Sequence, residues 1–149
     1  ATGNSNYGWF GGGYTLTSVS TVERIDFSSD SSTSSVRGPL ILARYGSGAT
    51  GNSNYGWFGG GTIPGSVSTL DRIDFSSDIT IASVRGPLSL ARFGPGATGN
   101  SNYGWFGGGF PTVSIVDRIN FSNDSISVSV RGPLSSARYS STATSNRTR

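Results

Sequence analysis

The chain contains no cysteine, histidine, methionine, lysine or glutamine. Without Cys or His, the usual structural zinc, haem and thiol chemistries have no ligands. Without His, Lys or Cys, the commonest general bases and activated nucleophiles are missing too, which leaves carboxylates, tyrosines and hydroxyls. No metal, cofactor or catalytic centre is expected on these grounds. Lack of Cys leaves the redox compartment open. Long apolar runs are also missing, and no stretch approaches the roughly 20 residues of a helical membrane span. Only 13% of the 149 residues are charged. No signal peptide is visible, and the chain opens at Ala1 rather than Met, which reads as a processed, excised or partial start.

What is present is a strict repeat. The segment Ala1–Gly13 recurs unchanged at Ala49–Gly61 and Ala97–Gly109. Arg24, Arg72 and Arg118 follow it in step. So do Arg-Gly-Pro-Leu at Arg37, Arg85 and Arg131, and Ala-Arg at Arg44, Arg92 and Arg138. The third copy is shortened between Gly109 and Arg118. Repeats of this length indicate one supersecondary unit copied and stacked, as in solenoids, propellers or arrays. The units are 1–48, 49–96 and 97–142, with a closing strand and basic tail over 139–149.

The charges obey the same repeat. Nine of the 11 basic residues, all Arg, take repeat-equivalent positions, and Arg147 and Arg149 lie in the tail. The eight acids are Glu23/Asp71/Asp117, Asp26/Asp74 and Asp30/Asp78/Asp124, with Asn120 in the ninth place. The net charge of +3 thus comes from balanced repeats plus a small basic end, not a phosphate-binding stripe, and no nucleic-acid partner is expected.

Apolar residues are β-branched or aromatic and come in short runs bounded by Gly, Asn, Asp and Pro, which predicts an all-β chain of short strands. In the second repeat the strands fall at Tyr45–Thr50, Tyr55–Phe58, Ser66–Phe75 and Ile79–Val84. Gly51-Asn-Ser-Asn54 and Ser76-Ser-Asp78 supply turns, and Arg85-Gly-Pro-Leu88 leaves the fourth strand. That strand varies most. Ser125–Val130 alternates as a half-exposed edge should, whereas Ser31–Ser35 has no apolar residue. Water, sugar or a neighbouring subunit would be met there.

An Arg, a short strand, a turn, an aromatic strand ending in diglycine, a strand ending in an acidic-aromatic step, then Pro-Leu and Arg: in this order the unit resembles the kelch repeat. The resemblance covers the whole chain in three copies. The diglycines are Gly11-Gly12, Gly59-Gly60 and Gly107-Gly108, preceded by Tyr7, Tyr55 and Tyr103. The kelch Trp of the fourth strand is replaced by Val36, Val84 and Val130, and the indole sits on strand two as Trp9, Trp57 and Trp105. The unit is therefore divergent. Gly-rich repeats of this type are also similar to surface and fibre proteins of phages and marine viruses, which implies an extracellular or virion-surface location.

The resemblance implies a β-propeller of four-stranded blades. Closed propellers have about four to eight blades, so three blades would need another copy. Tyr139–Thr144 reads as a spare first strand that completes a six-bladed dimer or, as second choice, links a filament. The alternative folds are a threefold β-trefoil or an excerpt of a longer repeat protein.

The same residues supply the candidate sites. The aromatic pairs Tyr7/Trp9, Tyr55/Trp57 and Tyr103/Trp105 suit packing between blades better than sugar stacking. Arg24 with Asp26 and Asp30, and their copies, would line a channel or hold a cation, but threefold equivalence favours structural ion pairs and turn caps. Arg44, Arg92 and Arg138 join that structural set. Sequons at Asn120, Asn123 and Asn146 are weak signals. The loops after Gly-Gly-Gly, with Tyr14, Ile63 and Phe110, differ between copies and are the best ligand candidates, since loops carry binding on a rigid frame. Surface glycans are the ligand class they suit. The expected role is a non-enzymatic structural or recognition module, with a lectin as the alternative.

Overall fold

A computed structural model describes residues 1–144 as twelve strands and no helix. The first repeat gives β1 (Thr2–Gly3), β2 (Tyr7–Tyr14), β3 (Ser18–Asp26) and β4 (Ser35–Arg37). The second gives β5 (Gly48–Gly51), β6 (Tyr55–Gly59), β7 (Leu70–Asp74) and β8 (Ser83–Arg85). The third gives β9 (Gly96–Gly99), β10 (Tyr103–Gly107), β11 (Val116–Asn120) and β12 (Ser129–Arg131). Each repeat folds into its own four-stranded antiparallel sheet, with strands neighbouring in chain order. No sheet is shared between repeats, whereas a trefoil would draw one barrel from strands of all three.

Local chemistry fixes the hairpins. Asn52 Oδ1 accepts the N–H groups of Asn54 and Tyr55, both at 2.9 Å, and Asn4 and Asn100 do the same in their repeats. These Asx turns reverse the chain into β2, β6 and β10. At the far end of β3, Asp26 accepts the Ser28 N–H and hydroxyl, and Asp74 and Asn120 repeat the cap. Those Ser28 bonds hold the Asp26 carboxyl below its ordinary range.

Several strands of the second and third repeats are shorter than the pattern predicts. Tyr45 makes only a single bridge to Thr62, and the first strand runs instead through Gly48–Gly51. Within Ser66–Phe75 the continuous ladder covers Leu70–Asp74, and Ser66 adds a single bridge to Thr62, whereas in the first repeat β3 pairs from Ser18 onward past Gly12 and Gly13. The predicted fourth strand Ile79–Val84 contracts to Ser83–Arg85, and Ser125–Val130 to Ser129–Arg131. Residues 78–82 are drawn across to the preceding repeat instead. There the Asp78 carbonyl accepts the Gly38 N–H at 2.7 Å, and Ala82 N–H donates to the Pro39 carbonyl at 2.9 Å.

The core lies between consecutive sheets. Trp9, Val22 and Leu40 of the first repeat bury against Phe58, Ile73 and Ala82 of the second. Trp57, Leu70 and Leu88 bury likewise against Phe106, Ile119 and Phe121 of the third. Such a repeat cannot bury its apolar face alone, so stacking supplies the stability.

The first strands of consecutive sheets lie side by side and are tied by a threonine ladder. The Thr2 hydroxyl donates to the Thr50 carbonyl at 3.0 Å, Thr50 to Thr98 at 3.0 Å, and Thr98 to Thr144 at 2.6 Å. Thr50→Val keeps the shape and removes one rung, so chemical unfolding should show a loss of about 0.5–1.5 kcal/mol. An unchanged unfolding curve would show the ladder to be energetically idle.

Candidate functional site

Two side-chain systems dominate the molecule. The first is a clamp repeated at each joint between sheets. Asp78 Oδ2 accepts the Trp9 indole N–H at 2.9 Å and Arg24 at 3.1 Å, with Arg37 Nε 3.4 Å away. One repeat later, Asp124 receives Trp57, Arg72 and Arg85 at 2.8, 3.2 and 3.3 Å. The ring of Phe75 stacks on Trp9 at 3.9 Å, and Phe121 on Trp57 at 4.1 Å. Arg24, Arg72 and Arg118 each cover a tyrosine ring, Tyr7, Tyr55 and Tyr103, at 4.3 Å.

Deeper in each joint sits a fully buried ion pair. Arg44 donates to Asp71 at 3.1 Å and to the Phe58 carbonyl at 3.0 Å, while the Ile41 N–H also reaches Asp71. Arg92 donates to Asp117 at 2.8 Å and to the Phe106 carbonyl at 3.1 Å. Burial pushes the Asp71 carboxyl up and the Arg44 guanidinium down, each opposed by the partner's charge. Desolvation thus outweighs attraction, as expected for buried pairs.

These contacts revise the sequence grouping. Arg24 forms its ion pair with Asp78 of the next repeat, while its charge also acts on Asp26 of its own. A pocket beside the first strands is lined by Ala1, Thr2, Ala49, Thr50, Ala97 and Thr98, with no Arg or Asp side chain. Among the described residues, no group of three or more carboxylates gathers as a cation site would require.

The second system is an aromatic surface cleft of about 270 Å³, bordered by Tyr45, Pro64, Ser66, Phe93 and Phe110. It forms where the repeat-equivalent aromatics after Ala-Arg meet the variable loops. Tyr45 and Phe93 lie edge to face at 5.6 Å, Tyr14 packs on Tyr45 at 5.2 Å, and Phe110 lies 6.1 Å from Tyr139. Tyr14, Phe110 and Tyr139 are more than half exposed. Flat aromatic faces beside hydroxyls of Thr62 and Ser66 suit the apolar face and hydroxyl rim of a sugar ring.

Of the three loop residues, Phe110 borders this cleft, Tyr14 adjoins it through Tyr45, and Ile63 is half-buried and not among its lining residues. Tyr45, Phe93 and Tyr139 read in the sequence as openings of short strands rather than as ligand candidates. Their signal is an aromatic after Ala-Arg in every repeat. Of the paired aromatics, Trp9 and Trp57 are fully buried, whereas Trp105 remains half-buried. Arg138 turns back to Ser135 and Ser136. Arg147, Arg149 and the Asn146 sequon lie outside the described residues. No family model and no curated protein matches the sequence.

Proposed function

We propose that this chain is a non-enzymatic structural and recognition module, a divergent kelch-like scaffold whose three sheets act as propeller blades and whose ring is completed by another copy. The observation that carries this reading is where the charges go. Each of the six ion pairs among the described residues joins consecutive repeats. Charge used this way specifies the stacking of one repeat on the next. A six-bladed dimer falls within the range of closed propellers, with a filament as second choice. The likeness of its Gly-rich repeats to phage and marine-virus surface proteins supports placement outside a cell or on a particle.

A broad panel of glycoside and ester substrates should give no turnover. Turnover abolished by changing one Asp would overturn the reading. The second reading, a lectin, is favoured by the Tyr45–Phe93–Phe110 cleft. On a glycan array the scaffold reading expects silence, and micromolar binding that is lost in Phe110→Ala selects the lectin instead.

A further inference from the structure

The two ends of the stack carry the two halves of the internal joint. At the trailing end, a cavity of about 200 Å³ is walled by Trp105, Gly107, Val116 and Leu134. Their counterparts in the first repeat, Trp9, Gly11, Val22 and Leu40, surround the ring of Phe58. At the leading end, Phe10 is the counterpart of Phe58 and Phe106, yet it is 51% exposed where they are 1% and 0%. Phe27, counterpart of the Phe75 and Phe121 rings that cover Trp9 and Trp57, is 50% exposed.

The charges divide in the same way. Asp30 corresponds to Asp78 and Asp124 but is exposed and has no ion-pair partner among the described residues. Arg118 and Arg131 correspond to the clamp pairs Arg24/Arg37 and Arg72/Arg85, and also have no carboxylate partner among the described residues. The glycines after the arginine of Arg-Gly-Pro-Leu divide in the same way. A Cβ on Gly38 or Gly86 would run into the carbonyl of Thr80 or Ile126 from the following repeat, whereas one on Gly132 would meet nothing within 4 Å.

We infer that the trailing face of one chain binds the leading face of a second copy, head to tail, by repeating the internal joint. Phe10 fills the Trp105–Gly107–Val116–Leu134 cavity, Phe27 covers Trp105, and Asp30 enters between Arg118, Arg131 and the Trp105 indole N–H. The inference deepens the scaffold reading and rests on it. Knob meets hole and anion meets cation at the same two faces, which selects a second copy as the occupant. Ala143 and Thr144 hold the place that Ala1 and Thr2 of the incoming copy would take, with Thr144 bonded to Thr98, so one of these pairs is displaced on docking.

Sedimentation of the full chain tests this. Wild type should exceed monomer mass. Gly132→Ala, which touches nothing within its own chain, should weaken association at least about tenfold without altering the circular-dichroism spectrum. Two charge variants supply the independent test. Asp30→Arg alone and Arg118→Asp/Arg131→Asp alone should each be monomeric, because their end faces repel. Mixed, they should regain the wild-type mass, because each leading face again meets an opposite charge. A wild type that stays monomeric up to about 1 mM overturns the inference and the self-assembly in the scaffold reading together. An assembly that survives Gly132→Ala and both charge variants overturns this joint alone and leaves the scaffold reading standing.

Discussion

Replacing Asp71 with alanine is expected to lower the unfolding free energy by about 3–5 kcal/mol, because it strands the Arg44 guanidinium in a site that is 0% exposed. At about 2–4 °C per kcal/mol for a chain of this size, the melting midpoint should fall by about 10 °C. The double variant Arg44→Met/Asp71→Leu should recover much of that loss, since two desolvated charges leave together. Recovery stays incomplete, because the Phe58 carbonyl and the Ile41 N–H each lose a partner. The pH dependence follows from burial. The Asp71 carboxyl is held above its ordinary range. Its proton-linked contribution to stability is therefore fully present below the unfolded aspartate value of about 3.9, and is lost as pH rises through the folded value. The wild-type advantage over the alanine variant should widen on acidification across that window. Denaturant titration at several pH values checks both points. A loss under 1 kcal/mol, or a double variant no better than the single one, would show that the joint relaxes around the missing group.

The second large effect comes from three chemically identical glycines. Gly38→Ala and Gly86→Ala should each cost about 1–3 kcal/mol or more, because the new methyl collides with backbone that cannot rotate away. Gly132→Ala, in the same Arg-Gly-Pro-Leu context, should leave the stability of dilute, unassociated protein within about 0.5 kcal/mol of wild type. Thermal unfolding of the three variants side by side makes the comparison. Equal losses at all three positions would mean that the glycine serves the local turn, with the neighbouring repeat irrelevant. Equal tolerance would mean that the joint is looser than the contacts of Gly38 and Gly86 indicate.

Much of the architecture is legible in the sequence for a plain reason. A strict repeat with alternating short apolar runs and Asn- or Asp-led turns permits one supersecondary solution, and it must occur three times. Four strands per repeat, their order and the turns at Asn52 and Asp74 follow from side-chain bonds to neighbouring backbone, which act over two or three residues. Strand length was less legible. Whether residues 78–82 extend their own sheet or cross to the previous one depends on a competitor 40 residues away, the Gly38 and Pro39 backbone.

The sequence by itself determined the unit, its strand order, its turns and the absence of the usual ligand and nucleophile side chains. It could not determine which copy a side chain meets, because equivalent residues are chemically identical along the chain. Arg24 has Asp26 and Asp30 nearby in sequence, yet the stacking of sheets brings it to Asp78. Phe10, Phe58 and Phe106 share the same neighbours in sequence, but one is half exposed and two are buried. Only the tertiary structure separates them. Burial and ion pairing here belong to the joint between two repeats, and the leading and trailing repeats each hold only half of one.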